Sequence, residues 1–158
     1  MSMFRYNVFL FFFGLLKIPL LIFVRPKILH LDEEKCRFRI KLGYFTKNHL
    51  NSMYFGVLGI GAELSIAGAA VFAVEQLGQR VDIIFKDYSC EFLKRADGHV
   101  LFCCDEVKEV RKIIMEAANS PDRIEKTLNG YAVLEKQPEV RLANYRLTLS
   151  VKNRSFKK

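Results

Sequence analysis

Residues 53–74 read MYFGVLGIGAELSIAGAAVFAV, 22 residues with one charge, Glu63. Small residues crowd this stretch: Gly56, Gly59, Gly61, Ala62, Ala67, Gly68, Ala69, Ala70 and Ala73. A glycine inside a helix costs roughly 1 kcal/mol relative to alanine. A helix that keeps several has something pressed closely against it. Two architectures allow that: a transmembrane helix with small-residue packing, or a soluble helix held in the concave face of a strongly curved sheet. The rest of the chain favours the second. About five amphipathic strands surround the segment, and without this helix they have no apolar surface to pack on. Ser52 is a candidate N-cap and Gly78 a candidate helix end.

The strands follow from alternation. Phe38, Ile40 and Leu42 share one face of a strand over 36–42, and Arg37, Arg39 and Lys41 the other. Val81, Ile83 and Phe85 alternate with Asp82 and Lys86, and Tyr88, Cys90 and Phe92 with Asp87, Ser89 and Glu91. The apolar set changes parity between those halves, which predicts a bulge. Ala96-Asp97-Gly98 reads as a hairpin turn, with His99–Cys104 as its return strand. Asp105 is placed to cap a short helix whose Val107, Val110, Ile113, Ile114 and Ala117 share a face. Further strands are expected over 126–136 and 141–152, with Pro138 marking the turn. In the last, Ala143, Tyr145, Leu147, Leu149 and Val151 point one way.

Charge is uneven along the 158 residues. Residues 1–31 carry four basic side chains and no acid, residues 32–135 a net −2, and residues 136–158 a net +6. A near-neutral body argues against nucleic acid as a partner. Five of the 14 phenylalanines lie in the first 13 residues, and 8–24 read VFLFFFGLLKIPLLIFV. Lys17 and Pro19 break this run, which falls short of the roughly 20 apolar residues of a spanning helix. It ends in Arg25-Pro26-Lys27, a poor cleavage site for a signal peptide. A helix of about 2–17, ended near Pro19, can dock on the domain or a partner subunit, make peripheral membrane contact, or serve as a targeting segment. Cys36, Cys90, Cys103 and Cys104 have no CxxC spacing and the histidines are scattered. No metal site is expected, and reduced thiols suit a cytoplasmic location.

One strand, a long small-residue helix and a run of antiparallel strands resembles the hotdog fold. Lys47-Asn48-His49-Leu50-Asn51-Ser52-Met53-Tyr54-Phe55-Gly56, followed by Gly61-Ala62-Glu63-Leu64, resembles the hotdog thioesterase superfamily. It is most similar to a poorly characterised branch, a domain of unknown function related to the phenylacetate type of acyl-CoA thioesterases. Pro19, Arg25-Pro26-Lys27, Phe85-Lys86-Asp87 and Phe92-Leu93-Lys94 extend the resemblance over nearly the whole chain. It implies an α+β hotdog fold, with a long central helix wrapped by a curved antiparallel sheet of five to six strands and an extra N-terminal helix. The expected divisions are 1–28 for that helix and its linker, 29–152 for the hotdog domain and 153–158 for a basic flexible tail.

The resemblance also implies a site. Asn48 and Glu63, 15 residues apart, match the family's loop asparagine and helix acid that flank the thioester. Tyr54, Phe55 and Gly56 stand where the family often has His-Gly-Gly, and backbone N–H groups there would polarise the thioester carbonyl. Glu63 would activate water or attack directly, and Asn48 would orient the carbonyl or the water. Sites at the interface of a dimer, or a dimer of dimers, are implied, with an acyl-CoA or acyl-carrier thioester as substrate and CoA entering only as part of it. No separate cofactor is expected. Lys47, Arg80, Lys86, Lys94 and Arg95 are available for CoA phosphates. Two alternatives stay open: a non-catalytic acyl-binding hotdog protein, and a small membrane protein with spans at 8–24 and 53–74.

Overall fold

A computed structural model describes residues 3–153 and 155. Its elements are α1 (Met3–Lys17), α2 (Leu20–Val24), β1 (Lys27–Leu31), β2 (Cys36–Ile40), α3 (Phe55–Leu77), β3 (Val81–Phe92), β4 (Val100–Cys104), α4 (Val107–Ala118), β5 (Ile124–Leu134) and β6 (Gln137–Asn153). The six strands form one antiparallel sheet in the order β1-β2-β4-β5-β6-β3. Of the expected tail at 153–158, Asn153 closes β6, and 154 and 156–158 lie outside the described residues.

The glycines of α3 show why the segment is so small-residue rich. A Cβ on Gly61 would lie 2.3 Å from the Phe102 ring, and one on Gly68 2.5 Å from the Phe38 ring. Sheet aromatics fill the space that side chains on the helix would need. Behind them, the fully buried Tyr145 of β6 hydrogen-bonds Ser65 of α3 at 2.8 Å and the backbone of Cys103 and Tyr131 at 3.2 Å. This pins α3 to the middle strands. α4 covers the same face beside it, with Val107, Val110, Ile113, Ile114 and Ala117 all buried.

Several local expectations need correction. The N-cap of α3 is Tyr54, not Ser52, whose hydroxyl is held by Asn48. Gly78 does end the helix, at φ 61°. Asp105 does not cap α4, whose N-cap is Glu106; it pairs with Arg37 and accepts from the Tyr131 hydroxyl at 3.0 Å. Pro138 lies inside β6 rather than in the turn before it. β3 and β4 are not a hairpin: β4 sits between β2 and β5, and β3 pairs with β6 at the sheet edge. β1 and α2 were not foreseen. The expected parity change in β3 is a register shift between Phe85 and Asp87. α3, a candidate span by length and composition, is the core helix of this fold, half of it buried.

Candidate active site

The loop from Gly43 to Tyr54 is tied down at several points. Thr46 Oγ1 donates to the Lys41 carbonyl at 2.7 Å, the Met53 N–H to the Ala96 carbonyl at 2.7 Å, and the Tyr54 N–H to the Thr46 carbonyl at 2.8 Å. Asn48 organises the interior of this loop. Its Oδ1 accepts from the N–H of Leu50 (2.9 Å), the N–H of Ser52 (3.2 Å) and the Ser52 hydroxyl (3.2 Å). Its Nδ2 has no partner among the described residues. The side chain is therefore fixed by its acceptor end and presents a donor.

The loop delivers the chain to the start of α3. No side chain caps that end and no acid lies in the first turn. Tyr54 accepts from the N–H of Val57 and Leu58 through its carbonyl, and the N–H groups of Phe55 and Gly56 have no partner among the described residues. Two unsatisfied donors at the positive end of a 23-residue helix favour developing negative charge. The Tyr54 ring leans over Gly56, where a Cβ would lie 2.7 Å from it. Tyr54 and Phe55 are 54% and 63% exposed, and Phe55 meets Phe92 of β3 at 5.5 Å between ring centroids.

Glu63 is not buried within an enclosed helix, as the apolar segment suggested. It is exposed in the single chain, on the face of α3 that turns away from the sheet. Gly56, Gly59 and Glu63 recur at three- and four-residue spacing and so share that face. Nothing lies within 4 Å of a Cβ built on Gly59. Glu63 makes no hydrogen bond or ion pair among the described residues, so the surface base that would neutralise it is missing. Its surroundings are apolar enough that desolvation raises its pKa above the ordinary carboxylate value. Exposure along one side and loss of water on the others coexist here, because its helical neighbours are apolar. Along the axis Glu63 stands about 12 Å from Phe55, eight residues at 1.5 Å each.

Strand β3 supplies residues that the sequence did not single out for the site. Tyr88 and Phe92 sit opposite Leu147 and Ala143, on the face turned toward the helices, yet they are 41% and 44% exposed. Both are only partly covered in one chain, Phe92 by the Phe55 ring. Burial raises the pKa of Tyr88 and of its neighbour Cys90. Alternation placed these side chains on the inner face; their exposure depends on β3 lying at the sheet edge, which is a long-range outcome. Of the basic residues available for phosphates, Lys86 pairs with Glu125, Lys47 donates to Asn51 and Arg95 to the Leu50 carbonyl. Among the described residues no cluster of metal-ligating side chains forms, and the four cysteines are free.

Solved structures share this architecture. A protein of unknown function from Chlorobaculum tepidum TLS is 11% identical over 96% of this chain and 97% of its own, with a TM-score of 0.81. A Pseudomonas aeruginosa protein described as of unknown function and a probable thioesterase is 24% identical over 89% and 91%, with a TM-score of 0.70. A thioesterase from Haemophilus influenzae is 14% identical over 97% and 92%, with a TM-score of 0.69. At these identities the likeness establishes the fold, which is the hotdog fold of thioesterase-like proteins. Nothing among the curated proteins matches. A family match runs over residues 8–125, from α1 into β5, and takes in the loop, α3 and β3 that frame the site. The chain belongs to the family described as Domain of unknown function (DUF4442).

Proposed function

We propose that the protein hydrolyses acyl thioesters, acyl-CoA or acyl-carrier, at a site shared by two copies of the chain. The observation that carries this reading is Glu63: an unpaired carboxylate with a raised pKa, on the same open helix face as the free N–H groups of Phe55 and Gly56. The developing oxyanion is held by those N–H groups. Asn48 Nδ2 orients the carbonyl or the attacking water, and Glu63 takes the water's proton or attacks the carbonyl carbon itself. The thiolate leaves without strong acid assistance.

Two features favour a shared site. The axial separation of Glu63 from Phe55 far exceeds the roughly 3 Å at which reacting atoms must meet. A second chain running antiparallel brings its own Glu63 toward this helix start. In addition, β3 is a 12-residue edge strand with Ile84, Tyr88 and Phe92 exposed, a surface that soluble proteins usually cover. Pairing of two β3 edges encloses the acyl chain between apolar walls. The reading places the protein in the cytoplasm.

The seat of the Tyr54 ring over Gly56 favours a second reading, an acyl-binding protein without turnover. A panel of acyl-CoAs of increasing chain length, followed by thiol release, separates the two. Release of CoA supports hydrolysis. Saturable binding without release supports the second reading and sinks the first.

A further inference from the structure

α1 is seated on the domain by specific contacts. Tyr6, Leu10 and Gly14 are buried. Asn7 completes the edge of β1: its Nδ2 donates to the Ile28 carbonyl at 2.9 Å and its Oδ1 accepts from the Ile28 N–H at 2.8 Å. A helix held this way has a defined outer surface, and that surface is apolar. Phe11, Phe12 and Leu16 are 56%, 53% and 72% exposed. α2 folds back on α1, its Leu21 only 3.1 Å from where a Cβ on Gly14 would stand. The patch continues through Phe23, whose ring is 5.7 Å from that of Phe45, and on to Tyr44. Single exposed apolar residues are ordinary, but a contiguous patch of this kind marks a docking surface.

Charge identifies the occupant. Residues 1–31 hold four cations and no acid. A concavity of about 540 Å³ lies between α2, β1 and the 43–46 loop, with Arg25, Lys27 and Lys41 among its lining residues. None of these three forms an ion pair among the described residues. Arg25 sits at the left-handed C-cap of α2 (φ 50°, ψ 54°), where glycine is the usual residue. The chain keeps a cation there despite the backbone strain. A second copy of the same face would set like charges against each other. Pairing through β3 does not cover it either, because β1 and β3 are opposite edges of the sheet.

We propose that this face docks on an anionic lipid surface, with Phe11, Phe12, Leu16 and Phe23 entering the interface and Arg25, Lys27 and Lys41 meeting lipid phosphates. At 15 residues α1 is about 22 Å long, short of a span, and lies in the plane of the interface. The lipid contact stands independently of thioester hydrolysis.

Co-sedimentation of the full chain tests it, using vesicles of phosphatidylcholine alone or mixed with phosphatidylglycerol. Binding to the anionic vesicles is expected to be at least about tenfold tighter and to weaken with salt. A Phe12→Ser, Leu16→Ser double variant should bind at least about tenfold more weakly. Arg25→Gly should also weaken binding while keeping the thermal midpoint, since glycine accepts the left-handed backbone; that loss would not be one of folding. The proposal is overturned if the protein stays in the supernatant with both vesicles, or binds neutral and anionic ones equally. It is also overturned if the double variant keeps its vesicle affinity but forms a smaller oligomer by light scattering, which would assign the face to a second copy.

Discussion

In the proposed mechanism Glu63 is the base and Asn48 the donor, and each role has a distinct signature. Glu63→Gln removes the carboxylate at an exposed position, so the circular dichroism and thermal midpoint should change little while kcat falls by about 10²- to 10⁴-fold. Desolvation raises the Glu63 pKa, and a general base works only when ionised. The rate in the wild type should therefore fall on acidification at a pH above that expected for an ordinary glutamate. Protonation also couples to stability. The folded chain holds this proton more tightly than the unfolded chain, so between the ordinary and the raised pKa this group's contribution to stability falls as pH rises. The pH-dependence of the denaturation midpoint should lose that component in Glu63→Gln. Asn48→Asp keeps an acceptor for Leu50 and Ser52 but loses the free Nδ2 donor. Its predicted effect is a drop in kcat of about 10²-fold with the loop intact, on the scale of a lost oxyanion donor. Activity kept in Asn48→Asp but lost in Asn48→Ala, which removes the acceptor for Leu50 and Ser52, would assign Asn48 a structural role only. The proposed pairing of these two residues rests on family spacing alone. The Asn48 hydrogen bonds to Leu50 and Ser52 are local turn contacts, whereas the open face of Glu63 depends on how α3 seats on the sheet, which no local pattern encodes.

Within α3, two glycines of similar appearance have opposite expected effects. Gly61 is pressed by the Phe102 ring, so Gly61→Ala overpacks the core and should cost about 1–3 kcal/mol by denaturant titration. Gly59 faces open space, so Gly59→Ala should stabilise a single chain by up to about 1 kcal/mol through helix propensity. A bulkier side chain at 59 should instead hinder the second copy. The sequence showed that something must press on this helix, because the cost of its glycines demands a cause. It could not show which glycines, since those are chosen by Phe38 and Phe102 on distant strands. Strands with strict alternation, such as β6, were legible residue by residue. β1 was not, because the bulge between Ile28 and His30 breaks its alternation. The partners of β4 were not legible either, because Ala96-Asp97-Gly98 looks local whereas the pairing of β4 is set by the whole sheet.

At the scale of the molecule, the two sheet edges have different fates. Asn7 closes β1 against α1, and β3 is left open. A dimer of the 18.3 kDa chain is expected in light scattering. Ile84→Lys on the β3 edge should shift it toward monomer and lower hydrolysis with it; a dimer unaffected by that change would place the interface elsewhere. The uneven charge of the sequence also acquires a location, with the N-terminal cations gathered around an apolar helical surface. The central claim is that Glu63 performs thioester hydrolysis. Its most direct test is the rate of thiol release from acyl-CoA by the wild type and by Glu63→Gln, measured on samples of matched folding and oligomeric state. Turnover by the wild type and a loss of at least about 10²-fold in the variant are predicted. Absence of turnover across acyl chain lengths, or equal rates in the two proteins, would contradict the account.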